Sequence, residues 1–493
     1  MKRLVTCQRA LALASRPKLP HTRCMSALPN LAPQQATDNA STFSYPPSLP
    51  QPPAFTNILT RFSQLQAPTH LDCATHPSTM AKIAHDNKYL LQMYGRPNLI
   101  FSHGKGCYLY DMAGRQYLDL NSGIAVNALG HGDERLAKII ADQATKLIHL
   151  SNLYHNEYAG QLAELLVQAL GNRGKWANTS EYGGSKVFLC NSGTEANEGA
   201  IKFARKWGKQ PHQKVKEGKH MVISFSHAFH GRSLGALSAT PNPKYQNPFT
   251  PLMPGFVNSP FNDTAKAIEI IDDKTCGVIV EPLQGEGGIF LGTDSFLSAI
   301  RKRCDEVGAL LIMDEVQCGI GRTGKFFAHE HSGVTPDILT LAKPLANGLP
   351  AGAIIVAPHV AAMLKPGDHG TTFGGSPFAT RVAIDVISRI NNPSFLQRVA
   401  ETGKYMMNQL QALADGTPLI TEVRGRGLMI GLQLGEKVDS NAFVDLARER
   451  GLLLITAGNN TIRLVPPLII SRNEIDHAVT VLSSVVKIME DKQ

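Results

Sequence analysis

Several short apolar runs in this sequence end in residues able to do chemistry. Ile338–Leu341 is followed by Ala342, Lys343 and Pro344. A lysine in that place can form a Schiff base once burial or a neighbouring charge lowers its pKa, although a single lysine is more often a surface group with a snorkelling stem. Ala309–Met313 ends in Asp314, Glu315, Val316 and Gln317, and Gly277–Val280 ends in Glu281, with Glu286 in the Gly-rich stretch that follows. Carboxylates at buried strand ends are costly unless paired, so a cationic ligand group or an arginine is implied. Lys186–Cys190 runs into Asn191, Ser192, Gly193 and Thr194, and then a helix over 198–206. Such a turn offers a phosphate free backbone N–H groups, hydroxyls and the positive end of the helix dipole, although a plain capping turn reads the same. After Met221–Phe225 come His227, Ala228, Phe229, His230, Gly231 and Arg232. Phe229 can stack on a flat ring and Arg232 can grip a carboxylate with two N–H groups; core packing and a surface ion pair are the ordinary alternatives. No third ligand adjoins His227 and His230, so no metal site is expected. Gly319–Lys325 fits the first seven positions of a nucleotide phosphate loop, but Phe326 stands where a magnesium-binding hydroxyl belongs. The strand that would be its partner also runs straight into it, so nucleotide hydrolysis is not expected.

The elements that must position these residues follow a repeated grammar of short apolar run, polar or glycine-rich turn, and helix. Near-continuous apolar strands between helices indicate an α/β architecture with a mainly parallel sheet, whose ligands bind beyond the carboxyl ends of the strands. Upstream, 101–126 reads as a hairpin or small sheet, and 134–149 and 156–170 as amphipathic helices. From about 381 the chain returns to helix, then short strands at 427–434, 451–456 and 461–465, then a closing helix. Together, a phosphate cradle, a stacking aromatic, a strand-end Asp and a strand-end Lys are what pyridoxal phosphate requires, the Asp keeping the pyridine nitrogen protonated so that the ring withdraws electrons.

Composition separates the beginning of the chain from the rest. Of the formal charge of +9 on 493 residues, residues 1–80 carry +5 and the remaining 413 only +4. All 43 glycines lie beyond residue 80, whereas 11 of the 30 prolines lie before it. Such a stretch cannot bury enough apolar surface to fold alone, and its basic, acid-free start reads as a mitochondrial transit peptide rather than as a nucleic-acid arm. No run reaches the length of a membrane span. The eight cysteines show no paired or zinc-like spacing, which fits buried thiols in a reducing compartment such as the mitochondrial matrix.

The motifs NSGTEAN (191–197), HAFHGR (227–232), EPLQGEGG (281–288), DEVQCGIGRTG (314–324), Ala342-Lys343 and GTTFGGSP (370–377) together resemble the class III, fold type I, pyridoxal-phosphate-dependent aminotransferases. Within that family the resemblance is to the acetylornithine-using group, and it runs from about Tyr94 to Glu490. It implies a large domain with a mainly parallel seven-stranded sheet (131–380) and a smaller α+β domain built from 81–130 and 381–493, behind a leader and linker at 1–80. It implies Lys343 as the Schiff-base and proton-shuttling lysine, Asp314 as the pyridine partner and Gln317 on the ring hydroxyl. Gly193 and Thr194 become the phosphate cradle, Phe229 the ring face, and Thr372 a phosphate contact reaching over from a second subunit of a homodimer. Arg232 and Thr371 would hold acetylornithine. Arg424, with Arg426 as the nearby alternative, would hold the carboxylate of glutamate or 2-oxoglutarate, and Glu286 would mask it for the other substrate. Two departures from the usual pattern, Pro344 after the lysine and Phe373 in the Thr371–Ser376 stretch, leave this chemistry intact. The implied reaction is transamination between glutamate and N-acetylglutamate semialdehyde in arginine biosynthesis, with no nucleic-acid or membrane partner. Ornithine or 4-aminobutyrate as amino donor, and a non-catalytic binding protein on the same fold, are the alternatives.

Overall fold

The computed structural model describes residues 67–71, 75–171, 176, 184–213, 218–458 and 460–492. The transit-peptide reading of the basic start lies outside the described residues. In chain order the strands are β1 Phe101–Lys105, β2 Tyr108–Asp111, β3 Gln116–Asp119, β4 Lys186–Cys190, β5 Met221–Phe225, β6 Phe256–Ser259, β7 Thr275–Val280, β8 Leu283–Gln284 and β9 Phe290–Leu291. They continue with β10 Leu310–Asp314, β11 Ile338–Leu341, β12 Gly352–Val356, β13 Ile420–Arg426, β14 Met429–Leu434, β15 Leu452–Leu453, β16 Ile455–Ala457 and β17 Thr461–Leu464.

Seven of them form one sheet in the order β4-β12-β11-β10-β7-β5-β6, parallel except for β12, which runs against both its neighbours. Every residue of β7 and β10 is buried, as expected of central parallel strands covered on both faces. Their side chains divide by alternation. Val278, Val280, Leu311 and Met313 join one core with the helix Asp294–Val307, whereas Ile279, Leu310 and Ile312 join another with the helix Gly193–Trp207. The result is a three-layer sandwich. Gly199 lets the second helix sit close, since a Cβ there would stand 2.3 Å from Ile354 Cδ1.

Two four-stranded sheets and the two-stranded β8-β9 ribbon lie outside this one. Of the four-stranded pair, the first has the order β1-β2-β3-β15 and the second β13-β14-β17-β16. The expected strand 451–456 is divided between them: Leu452–Leu453 pairs parallel with β3 and Ile455–Ala457 antiparallel with β17. Its two halves thus tie the early and late parts of the chain together. The helix expected over 134–149 stops at Ala144, where Gln143 Nε2 donates to the carbonyl of Leu147 and turns the chain. The edge strand β6 was not among the apolar runs, because Phe-Val-Asn-Ser alternates too briefly to stand out.

Candidate active site

A cavity of about 420 Å³ opens beyond the carboxyl ends of β4, β5, β7, β10 and β11, and its wall includes Gly193, Thr194, Phe229, Arg232, Asp314, Gln317 and Lys343. On the β4 side, Ser192 caps the helix Gly193–Trp207 by accepting from Glu195 N. A Cβ on Gly193 would lie 2.5 Å from Val316 Cγ1, so glycine alone lets the backbone come this close to the cavity. Thr194 Oγ1 is 2.7 Å from Ser233 Oγ, which places two hydroxyls beside the helix N-terminus.

Asp314, at the end of β10, is 3 % exposed and has both oxygens hydrogen-bonded. Its Oδ2 accepts from Asn197 Nδ2 at 2.7 Å and His230 Nδ1 at 2.8 Å, and its Oδ1 from Val316 N at 3.0 Å. Asn197 is fixed in turn by Thr340 Oγ1, which donates to its Oδ1 at 2.8 Å. Glu281 is held by backbone alone, accepting from Phe229 N at 2.9 Å and Gly285 N at 3.2 Å. Burial, with the charge of Asp314 adding to it against the pull of His230, pushes its carboxyl up to about 7. No arginine among the described residues meets these acids, and of the two expected partners only a cationic ligand group is left, since both acids line the cavity. An amide, an imidazole and backbone N–H groups meet them, and burial makes the charged form of Glu281 harder to reach.

Lys343 follows β11 with φ of +23°, a left-handed value rarely adopted by non-glycine residues and here imposed on the residue before a proline. Burial, followed by the positive charge of Arg463, lowers its pKa to about 8, against the opposing influence of Asp314, Glu281 and Glu286. An amine so placed is partly neutral near physiological pH and able to act as a nucleophile or base.

Glu286, Arg424, Thr371 and Thr372 are not on the cavity wall. Thr371 Oγ1 accepts from Asn191 Nδ2 at 3.2 Å just behind it, while Thr372 is exposed. The pairing of Glu286 with Arg424 does not occur. Arg424 donates to the Gly288 carbonyl (2.8 Å), Glu422 (2.6 Å), Gln433 (2.9 Å) and Thr461 (3.0 Å). Arg426 borders a separate small pocket with His331. The partner of Glu286 is Arg463, whose Nη2 donates to Oε2 at 3.0 Å while its Nη1 donates to Gln317 Oε1 at 3.1 Å. Sheet register explains the substitution. Arg424 pairs with Gly431 and Gly431 with Arg463, so the two arginines occupy one cross-strand row, two strands apart, with no side chain between them. Arg463, Asn197 and Tyr245 were not singled out from the sequence, and His230 was weighed only as a metal ligand. The one signal for Arg463 was a charge between Ile462 and Leu464 in a strand otherwise apolar enough to be buried.

The phosphate-loop rival loses its donors. The N–H groups of Gly319, Gly321 and Gly324 go to carbonyls of Glu315, Phe326 and Gly321, all within the same turn. Among the described residues no group of three or more His, Cys, Asp or Glu side chains is arranged to hold a metal ion. No helix among them is long and apolar enough to cross a membrane.

A parallel sheet whose strand ends deliver an amine, a buried carboxylate and a helix N-terminus to one cavity is the ground plan of a transaminase. Residues 92–486 match the family model for aminotransferase class-III, and the chain belongs to that family. It is 48% identical over 418 residues, 84% of its length, to the mitochondrial acetylornithine aminotransferase of Neurospora crassa, of which it covers 88%. Among solved structures it resembles N-acetylornithine aminotransferase from Stenotrophomonas maltophilia, with a TM-score of 0.69 at 33% identity over 83% of this chain and 100% of that one. It also resembles an ornithine aminotransferase from Toxoplasma gondii, described with partial occupancy of PLP at its active site, with a TM-score of 0.78 at 30% identity over 89% of this chain and 98% of that one. The fold type I architecture implied by the motifs is the one observed.

Proposed function

We propose that this chain is a pyridoxal-phosphate-dependent transaminase that exchanges an amino group between glutamate and N-acetylglutamate semialdehyde, yielding 2-oxoglutarate and acetylornithine. The observation that carries the reading is the convergence of Lys343, Asp314 and the Gly193–Thr194 helix start on one cavity of about 420 Å³, a volume suited to a ligand of this size. When bound, pyridoxal phosphate supplies a protonated pyridine ring that takes up the electron pair left as the substrate carbon loses its proton. Asp314, held by Asn197 and His230, offers the fixed carboxylate for the ring nitrogen. Because Arg463 donates to Gln317 Oε1, the amide leaves Nε2 as a donor for the ring oxygen. Gly193, Thr194 and the helix dipole would hold the phosphate, and Phe229 would lie against the ring. Lys343 Nζ, with its pKa near 8, is suited to taking the proton from the substrate carbon and returning it.

Substrate charge follows from the two guanidinium groups. Glutamate and 2-oxoglutarate carry two carboxylates and call for two cations, Arg232 and Arg463. Acetylornithine carries one carboxylate, suited to Arg232 with Thr371 close by, and leaves Arg463 to Glu286. Arg463 Nε is buried without a partner among the described residues, a donor available to an incoming carboxylate. Support for the acetylated substrate comes from the relatives, which at 42–48% identity are named acetylornithine aminotransferases.

A homodimer with shared sites is part of the proposal. Thr372 and Phe373 are exposed beside Leu153 and Tyr154, and Asn152 joins the two segments through the carbonyls of Thr371 and Gly374. A second subunit would cover this apolar face and receive Thr372 at its own cavity. Residence in the mitochondrial matrix is supported by the names of the fungal relatives. The folded region, however, begins before residue 80, since the N–H groups of Thr69 and His70 donate to the Glu449 carbonyl and a helix spans Pro77–Tyr89. The division into a large domain at 131–380 and a small one built from 81–130 and 381–493 is supported by the β3–β15 pairing. The test is a side-by-side assay of acetylornithine, ornithine and 4-aminobutyrate as amino donors to 2-oxoglutarate. Acetylornithine is expected to give the highest kcat/KM; equal or better use of free ornithine would overturn the substrate assignment.

A further inference from the structure

Tyr245 sits on the short helix Pro243–Gln246, behind the cavity wall rather than on it. Its ring meets Arg232 and Phe229, which line the cavity, and its hydroxyl meets Glu286 behind the wall. The Arg232 guanidinium lies 3.5 Å from its centroid, Phe229 packs edge-to-face at 6.1 Å, and Oη donates to Glu286 Oε1 at 3.4 Å. Glu286 Oε2 faces the other way, to Arg463 at 3.0 Å. One side chain therefore links the two carboxylate grips, in the order Arg463, Glu286, Tyr245, Arg232. Burial, then the charge of Glu286, hold the phenol above its ordinary range, so Oη stays protonated and remains a donor.

We infer that Tyr245 is a specificity-determining positioning residue, whose ring fixes Arg232 over the cavity and whose hydroxyl gives Glu286 a second anchor when a substrate carboxylate claims Arg463. The inference rests on the transaminase reading above and divides into two separable parts. The ring is the platform for Arg232: the guanidinium lies over its face with a further hydrogen bond to the hydroxyl, and its remaining N–H groups are left for a carboxylate. The hydroxyl matters chiefly for the dicarboxylate substrates. Without it, a Glu286 displaced from Arg463 loses a fixed protein donor and turns to solvent, so displacement is less favourable.

The experiment compares Tyr245→Phe and Tyr245→Leu with the wild-type holoenzyme. It uses each half-reaction separately and calorimetric binding of two unreactive probes, glutarate for the dicarboxylate and N-acetylnorvaline for the acetylated substrate. Tyr245→Phe is expected to weaken glutarate binding and raise KM for 2-oxoglutarate roughly 10- to 150-fold, the loss of about one hydrogen bond to a charged group. Its values for acetylornithine and N-acetylnorvaline should stay within about twofold, because the ring remains. Tyr245→Leu is expected to weaken both probes, N-acetylnorvaline by roughly 3- to 30-fold. Equal changes for both probes in the Phe variant, or no change in either, would overturn the role of the hydroxyl. Unchanged N-acetylnorvaline binding in the Leu variant would overturn that of the ring. A wild-type enzyme that ignores acetylornithine would instead overturn the substrate proposal, while the glutarate arm would still decide the role of the hydroxyl.

Discussion

Replacing Arg463 with Gln separates the two substrates in a way that can be worked from the geometry. The guanidinium is 1 % exposed, bonded to Glu286 at 3.0 Å and Gln317 at 3.1 Å, with Nε buried and unpartnered. A dicarboxylate that takes over the Glu286 position gains a buried, charge-assisted contact, and truncating one side of such a contact costs about 2–5 kcal/mol. At about 1.4 kcal/mol per factor of ten, a central value of about 3 kcal/mol is roughly a 100-fold loss. Acetylornithine, with one carboxylate at Arg232, draws on Arg463 only through that residue's hold on Gln317 and its charge beside Lys343. Single-turnover measurements of the two half-reactions should therefore show kcat/KM for glutamate and 2-oxoglutarate falling about 100-fold, with that for acetylornithine changing by less than about fivefold. The same substitution removes a positive charge beside Lys343, so the amine pKa should rise from about 8 toward its ordinary value. Equal losses in both half-reactions, with an unchanged melting temperature, would refute the assignment. So would a 100-fold loss in Arg424→Gln that Arg463→Gln does not share.

Three further outcomes are expected. In cofactor-free protein, a lysine with pKa near 8 is protonated below that pH and neutral above it, so acylation of Lys343 followed by mass spectrometry should level off near pH 9. Surface lysines, with a pKa of about 10.4, should go on rising to about pH 11.4; a Lys343 that follows them would contradict its depressed pKa. Gly193→Ala pushes a Cβ to 2.5 Å from Val316 Cγ1, so affinity for pyridoxal phosphate, measured by fluorescence titration, should fall at least about tenfold, the counterpart of about 1.4 kcal/mol. Gly403→Ala brings a Cβ within 2.3–2.6 Å of the Gly427 backbone. Overpacking of about 1–3 kcal/mol outweighs the helix preference for Ala, so the melting temperature should drop by a few degrees without changing substrate preference.

The sequence by itself determined the residues on the cavity wall. Lys343, Asp314, Gly193, Thr194 and Phe229 could be read because a parallel α/β sheet aligns its carboxyl ends, so whatever follows an apolar run faces the ligand. It could not show that His230 and Asn197 hold Asp314, because these residues are 84 and 117 positions away from it and meet it only across the strand ends. Nor could it choose the arginine opposite Glu286. Arg424 and Arg463 share a row of the β13-β14-β17 sheet, and local pattern cannot tell which strand stands nearer the cavity. That was decided by tertiary structure. Strand order gives Arg424 to the Gly288 loop and Arg463 to Glu286 and Gln317, and the same packing lowers the pKa of Lys343.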